Sequence, residues 1–141
     1  MICWFRGNYS FLSNFHTCEV EYDGLKFQNS ESAFQASKTL DLEERKKFQY
    51  MSGGQAKKAG KAVKLRSDWE EVKIDIMYEV CSAKFRQNEN LKKLLLDTGD
   101  EELIEGNYWH DYTWGVCKGK GHNALGKILM IIRDELREEE D

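Results

Sequence analysis

The sequence predicts an α+β fold, namely a mostly helical single domain with one small antiparallel sheet. The length of 141 residues suits one hydrophobic core. Two short segments, Val20-Glu21-Tyr22 and Leu25-Lys26-Phe27, flank Asp23-Gly24, which is a strong pair for a hairpin turn. Apolar residues recur at three- and four-residue spacing over much of the remaining chain, and this period is typical of helices.

Three helices are predicted after the hairpin. Asn29-Ser30 is a good N-cap pair for a helix over residues 31–40, and Asp41 is a cap for a further helix toward Tyr50. Gly53-Gly54 predicts a break in the helical pattern. The third helix follows this break and is rich in small residues suited to close packing: Ala56, Ala59, Gly60 and Val63.

A longer helix is predicted next. Asp68 and Glu71 have the spacing of a capping box, which marks a helix start. The helix that they open carries a core-facing stripe of Trp69, Val72, Ile76, Val80 and Ala83.

The C-terminal third predicts two more helices separated by a loop. One helix, over residues 91–96, ends at Thr98-Gly99-Asp100, and Leu103-Ile104 predicts a short strand. The Gly- and aromatic-rich residues 106–121 predict an ordered loop. Asn123 then caps an amphipathic helix that carries Leu125, Ile128, Leu129, Ile132 and Leu136. The acidic residues 138–141 predict a frayed, solvated tail, so the predicted domain spans residues 1–137.

Composition narrows the class of protein. No apolar run approaches the roughly 20 residues that a transmembrane helix needs, and the N-terminus does not resemble a signal peptide, so we expect a cytoplasmic protein. The net charge is −4, and the last four residues are all acidic, so the rest of the chain is neutral. A neutral body does not predict a broad electrostatic contact with DNA, although recognition of one nucleotide stays open.

The four cysteines predict neither disulfides nor a metal site. They are far apart and form no C-x-x-C pair: Cys3, Cys18, Cys81 and Cys117. We therefore expect no zinc and no other cofactor.

The helix after Asn29 is the first candidate for chemistry. Glu31, Gln35 and Lys38 share one face, whereas Ala33, Ala36 and Leu40 are expected to face the core. One interpretation is a solvated polar face with an ordinary ion pair. The other is the wall of a covered cleft, which the aromatic Phe34 at the border of the stripe favours.

The second candidate is the segment from Glu105 to Gly115, where two carboxylates, two indoles and two tyrosines fall close together. The carboxylates Glu105 and Asp111 have the chemistry to orient ribose hydroxyls, activate water or stabilise an oxocarbenium-like centre. Flat aromatics such as Trp114 can stack on a base. The competing interpretation is a loop anchored in the core by its tryptophans.

Two weaker candidates concern phosphate. Residues 118–123, Lys-Gly-Lys-Gly-His-Asn, precede a helix and have backbone N–H groups and lysines suited to an anion, although a Gly-rich turn with an Asn cap explains them equally well. The basic run of Lys57, Lys58, Lys61, Lys64 and Arg66 is typical of a solvated helix face. Arg66 is its member most suited to a substrate phosphate.

Taken in order, several segments resemble the NADAR (YbiA-like) family over nearly the whole chain. The matching segments include Ser13-Asn14-Phe15, residues 29–38, Asp68-Trp69, Lys84-Phe85, Leu103-Ile104-Glu105, Asp111 with Trp114-Gly115, and residues 121–130. The resemblance implies a YbiA-like fold and an N-glycosidase. Implied substrates are the ribosylamino-pyrimidine phosphates of riboflavin synthesis, ADP-ribose compounds, or ADP-ribosylated guanine in nucleic acid. A binding module that senses ADP-ribose without turnover is the alternative.

On the matching positions, the resemblance makes site candidates of Glu31, Lys38, Glu105, Asp111, Trp114 and Asn123. The assignment of roles is our own inference: we expect four catalytic residues, Glu31, Lys38, Glu105 and Asp111. We expect substrate contacts from Asn14, Phe15, Gln35, Arg66, Trp69, Trp114 and Asn123. We expect Glu31 and Asp111 to share one cleft. Lys38 acts either as a covalent nucleophile through a Schiff base or as a cation that holds phosphate.

Overall fold

The computed structural model describes residues 1–140 and is mostly helical, with one two-stranded antiparallel sheet among those residues. The predicted fold class is confirmed. The chain divides into two compact units, which we name by their positions in the sequence. The central unit comprises residues 14–88, and the terminal unit comprises residues 1–13 and the chain from Glu89 onward.

The predicted hairpin opens the central unit. Strands β1 (Val20–Tyr22) and β2 (Leu25–Phe27) pair antiparallel, with Val20 opposite Phe27. Asp23 and Gly24 join the strands with φ of 53° and 84°. A two-residue type I′ hairpin turn requires positive φ at both of its central residues, and this turn meets that requirement.

Helix α1 (Ser30–Ala36) begins as predicted but ends early. The Asn29 side chain accepts a hydrogen bond from the Ser32 N–H at 2.7 Å. At the other end, the Ser37 hydroxyl donates to the Ala33 carbonyl, and such side chain–backbone bonds compete with helix continuation. The chain leaves the helical path before Leu40, which is 68% exposed, so the expectation that Leu40 meets the core was wrong.

Helix α2 (Leu42–Lys47) is capped by Asp41, as predicted, and a 3-10 turn (Phe48–Tyr50) follows it. Helix α3 (Gly53–Ala59) corrects the predicted break at Gly53-Gly54. Both glycines lie in its first turn, because Ser52 and Gln55 form a reciprocal capping box that outweighs the low helix propensity of glycine.

Helix α4 (Trp69–Gln87) carries the predicted stripe, in which Trp69, Ile76 and Val80 are buried. The predicted capping box is absent. Asp68 makes no side-chain cap because its carboxylate accepts two hydrogen bonds from the Arg66 guanidinium, at 2.7 and 3.1 Å.

The terminal unit contains a 3-10 helix (Gly7–Leu12), α5 (Glu89–Asp97) and α6 (Ala124–Glu140). Its core includes Leu95, Leu129 and Ile132. The strand predicted at 103–104 is only a single parallel bridge between Leu103 and Ile2, because the chain turns at once: the Gly106 N–H bonds back to the Ile104 carbonyl.

Helix α6 continues past the predicted boundary at residue 137. Glu138 to Glu140 form its last turn, and Glu140 pairs with Lys92 at 2.9 Å. The remaining residue of the predicted tail, Asp141, lies outside the described residues. Among residues 1–140, no helix combines the length and the apolar character that crossing a membrane requires.

Candidate functional site

The polar stripe of α1 is buried, so the solvated-face interpretation is excluded. Glu31 is 8% exposed and Gln35 is 6% exposed. The Gln35 Nε2 donates to Glu31 Oε1 at 2.8 Å, across one helical turn. A carboxylate at this depth needs such a donor, because an uncompensated buried charge is costly. The helix therefore presents a carboxylate whose position is fixed.

Asn14 positions the start of α1. Its carbonyl accepts the Glu31 N–H at 2.9 Å, and its side-chain oxygen accepts the Ser30 hydroxyl at 2.9 Å. Its side-chain amide donates to Met77 Sδ, on α4, at 3.3 Å. Both polar side-chain atoms of Asn14 therefore hold the segment that carries Glu31, and its predicted substrate contact stays a prediction.

Lys38 lies beside a pair of aromatic rings. Its Nζ is 6.0 Å from the centre of the Trp69 ring, and Trp69 packs on Phe34 with 5.1 Å between ring centres. Burial is the largest influence on Lys38 and lowers the pKa of its amine below the ordinary value; Glu31 opposes this shift, and Lys61 adds to it. The environment therefore favours the neutral, nucleophilic form more than water does.

The far side of the Gln35 amide faces a glycine. A methyl group built on Gly60 would lie 1.9 Å from Gln35 Oε1, so only glycine leaves room for the amide in this orientation. Among residues 1–140, this oxygen has no hydrogen-bond partner. The placement of the Gln35–Glu31 pair thus depends on the end of α3.

Phe15 and Arg66 both have partners within the protein, and their predicted substrate contacts stay predictions. Phe15 packs on α3, where a methyl group on Gly53 would meet its ring at 2.8 Å. Arg66 donates its backbone N–H to the Lys38 carbonyl at 2.8 Å, and its guanidinium is occupied by Asp68, which raises the pKa of Arg66. The expected phosphate contact of Arg66 would have to displace Asp68. The four lysines of the basic run are exposed, as a solvated face requires: Lys57, Lys58, Lys61 and Lys64.

In the terminal unit, Asp111 organises its own loop. Its Oδ1 accepts the backbone N–H groups of Thr113, at 3.1 Å, and Trp114, at 2.9 Å. Asn107 bonds to the backbone N–H and carbonyl of Asp111. Trp114 is partly exposed. The ordered loop predicted for this region is confirmed, and one carboxylate oxygen of Asp111 is used to build it.

Asn123 also has a structural assignment. Its side-chain oxygen accepts the Glu105 N–H at 3.0 Å, and its amide donates to the Leu103 carbonyl at 2.9 Å. The predicted side-chain cap of α6 is corrected, because these two bonds occupy the side chain. The predicted phosphate contact of Asn123 stays a prediction. Glu105 lies against Gly115, where a methyl group would come within 2.5 Å of its Oε2.

The candidate residues thus form one group in each unit. The central unit holds Glu31, Gln35 and Lys38 close to Trp69, and the terminal unit holds Glu105, Asp111, Trp114 and Asn123. Glu31 and Asp111 belong to different units, and their sharing of one cleft stays a prediction. Among residues 1–140, no group of three or more His, Cys, Asp or Glu side chains is arranged to hold a metal ion.

One chemically notable residue was missed. Lys84 is 0% exposed, and burial lowers the pKa of its amine to about 8, although the nearby thiols of Cys18 and Cys81 oppose the shift. Helical spacing contains the signal, because Lys84 is four residues after Val80 and three after Cys81 on the buried face of α4.

Comparisons with known proteins agree on one family. The sequence profile of the NADAR domain matches residues 4–137. The N-glycosidase YbiA of Escherichia coli K12 is 37% identical over 133 residues, which is 92% of this chain and 82% of that protein. A riboflavin biosynthesis protein of Vibrio vulnificus is 36% identical over 140 residues, and this alignment spans 93% of the chain but only 36% of that longer protein. The NMR structure of E. coli YbiA superposes with a TM-score of 0.87 and 35% identity, covering 99% of this chain and 87% of the YbiA chain.

Proposed function

The chain belongs to the NADAR domain family, and on that basis we propose that it is an N-glycosidase that hydrolyses the bond between a ribose and the nitrogen of a base. One observation in the central unit carries the chemistry. A buried carboxylate, Glu31, lies on α1, and a lysine with a lowered pKa, Lys38, follows the C-terminal end of that helix and lies beside Trp69. General acid–base chemistry and nucleophilic chemistry both require groups of these types, held rigidly.

For the substrate, we propose a ribosylamino-pyrimidine phosphate in preference to ADP-ribosylated guanine in nucleic acid. The chain has no excess of positive charge, whereas enzymes that follow a polynucleotide usually carry a basic track. The name of the Vibrio relative, a riboflavin biosynthesis protein, points in the same direction.

For the mechanism, we propose that Lys38 attacks the ribose carbon directly. An N-ribosylamine opens to an imine at C1, and the neutral Lys38 amine adds to that carbon. In the resulting adduct the Lys38 nitrogen gives up a proton to the Glu31 carboxylate, which passes it to the base nitrogen. The bond from C1 to that nitrogen then breaks, and the base leaves as an amine. The lysine remains joined to C1 as a Schiff base. Water hydrolyses this intermediate, releasing the sugar aldehyde and restoring Lys38.

In the terminal unit, we propose that Glu105 or Asp111 activates water or stabilises positive charge at C1, and that Trp114 stacks on the base. The support is chemical, since carboxylates and flat indoles serve these purposes in other glycosidases and nucleotide enzymes. Because Asp111 Oδ1 accepts two backbone N–H groups, its second oxygen is the one that we assign to the reaction.

The test is to incubate the protein with a ribosylamino-pyrimidine phosphate and, separately, with DNA carrying ADP-ribosylated guanine, and to follow release of the free base by mass spectrometry. We expect release from the pyrimidine substrate, with a loss of at least about a hundredfold in a Glu31→Gln variant. Tight binding of either compound without release would instead establish the non-catalytic sensor.

A further inference from the structure

A cleft separate from the Glu31–Gln35 pair opens in the central unit, with a volume of about 390 Å³. This volume lies in the range of small-molecule sites. One face of α4 forms its apolar floor and an acidic edge, since Val72, Asp75, Ile76 and Glu79 follow one another at helical spacing. Tyr22, Arg45 and Arg66 line it from other elements. None of its acidic residues figured among the candidates from sequence.

The two arginines of the cleft are already neutralised. Arg45 donates to Asp23 at 2.6 Å and, through Nε, to the Thr39 carbonyl at 2.7 Å. Arg66 is held by Asp68. Each arginine side chain is less exposed than the carboxylate that it pairs with. Arg45 is 15% exposed and Asp23 is 63% exposed, whereas Arg66 is 17% exposed and Asp68 is 41% exposed.

The other two carboxylates of the cleft, Asp75 and Glu79, are not the partners of these arginines. Glu79 accepts the Tyr22 hydroxyl at 2.5 Å through Oε1, which leaves Oε2 for another donor. Burial and this hydrogen bond both raise the pKa of Tyr22, so its hydroxyl stays a donor and Glu79 stays the acceptor. The charge left over in the cleft is negative, and a free phosphate would meet two carboxylates there.

We propose that this cleft binds an amino-substituted planar heterocycle, with its amino groups donating to Asp75 and Glu79 and its ring lying on Val72 and Ile76. The bonds that Arg45 makes leave its Nη2 to donate to a ring nitrogen or carbonyl of the ligand. A ligand that carries both donors and acceptors matches this lining, whereas an anion does not.

The proposal deepens the proposed function, because the base released from a ribosylamino-pyrimidine is a heterocycle of this class. The cleft begins next to the C-terminal end of α1: Ser37 lines it and precedes Lys38, and the Arg66 backbone N–H donates to the Lys38 carbonyl. The departing base would therefore have a site that recognises its amino groups.

The test uses 2,4-diaminopyrimidine, uracil and inorganic phosphate as probes, titrated into the full chain and followed by backbone amide NMR. Uracil is the matched probe, since it has the same ring with carbonyls in place of the amines. We expect diaminopyrimidine to bind at least about tenfold more tightly than uracil, with shifts at Tyr22 and Ile76, and Asp75→Asn and Glu79→Gln each to weaken it at least about tenfold. Glu70→Gln, an exposed change on the same helix outside the cleft, should leave the affinity unchanged.

Tighter binding of uracil or phosphate than of diaminopyrimidine, or full affinity in both carboxylate variants, would overturn the proposal. The same experiments can refute the proposed cleft ligand and the proposed glycosidase independently. Diaminopyrimidine binding that survives Glu31→Gln, in a protein that releases no base from any ribosylated substrate, supports the cleft and refutes the enzyme. Base release by a wild-type protein that shows no amide shifts in the cleft refutes the cleft and supports the enzyme.

Discussion

Gly60→Ala adds one methyl group at the end of α3, in the space that the Gln35 amide occupies. The new Cβ would lie 1.9 Å from Gln35 Oε1 and 2.8 Å from its Cδ. The backbone at Gly60 has φ of −62° and ψ of −19°, which alanine adopts without strain. The new Cβ would also lie 3.2 Å from the Ala56 carbonyl oxygen, but the contact with Gln35 is much shorter. The main effect of this substitution should therefore pass through the Gln35 side chain.

The expected magnitude follows from the geometry. Reaching ordinary contact beyond 3.4 Å requires the amide to move by about 1.5 Å, which breaks its 2.8 Å bond to Glu31. A hydrogen bond to a charged group contributes about 1.5–3 kcal/mol. Replacing glycine with alanine at a helical position returns up to about 1 kcal/mol. We expect a net loss of about 0.5–3 kcal/mol in the free energy of unfolding. We also expect a loss of turnover of about a hundredfold, because a catalytic group displaced by about 1 Å costs that much.

The assay pairs denaturant unfolding with base release from a ribosylamino-pyrimidine phosphate. Gly54→Ala is the matched control, since it lies in the same helix and a methyl group there meets nothing within 4 Å. It should keep full turnover. A Gln35→Ala change made in the Gly60→Ala protein should cost little more, because both substitutions remove the same hydrogen bond. Normal turnover in Gly60→Ala, or additive losses in the double variant, would show that the Gln35–Glu31 pair does not position the site.

Four further predictions concern the candidate groups. Glu31→Gln and Asp111→Asn should each lower turnover by at least about a hundredfold in folded protein, and full activity in either removes that residue from the mechanism. Lys38→Arg should abolish turnover, and borohydride added during wild-type turnover should trap a ribose adduct on Lys38; an active arginine variant rules out the Schiff base. Trp114→Ala should weaken substrate binding by about 1–3 kcal/mol, as measured by calorimetry, and unchanged affinity would leave Trp114 a packing residue. The pKa of Lys84 is about 8 in the folded protein, below the ordinary 10.5, so between these pH values the unfolded chain binds one proton more than the folded chain. The free energy of unfolding should therefore rise by about 3 kcal/mol as the pH increases across that window. Subtracting the unfolding profile of Lys84→Met from that of the wild type should reveal this rise, and identical profiles would contradict it.

Local signals predicted the fold where the structure is set by neighbours in sequence. Asp23-Gly24 specified its turn by backbone preference, and Asn29 and Asp41 specified helix starts through their own side chains. The wrong predictions concern positions where two interactions compete for one group, and spacing in the sequence does not show which interaction is stronger. Asp68 is drawn away from its cap by Arg66, and Ser37 ends α1 by bonding to the Ala33 carbonyl.

The candidate site was predictable as a set of residue types but not as an arrangement. Helical spacing placed Glu31 and Lys38 on one face, yet it could not say that this face is buried, because burial depends on contacts from Asn14 and α3. The role of Asn123 was also out of reach. Its two partners lie 18 and 20 residues earlier in the chain, and only the tertiary structure brings them to its side chain.

The same Asn123 bonds have a consequence for how the terminal unit tolerates change. Because one side chain pins Leu103 and Glu105 to the start of α6, the intervening residues 106–121 form a loop with both ends fixed to the scaffold. Lengthening a loop with fixed ends costs little, since closure entropy grows slowly with loop length. Residues inserted between these anchors should therefore leave α6 and its core contacts as they are, provided that they spare Thr113 and Trp114, whose carbonyls accept the first N–H groups of α6.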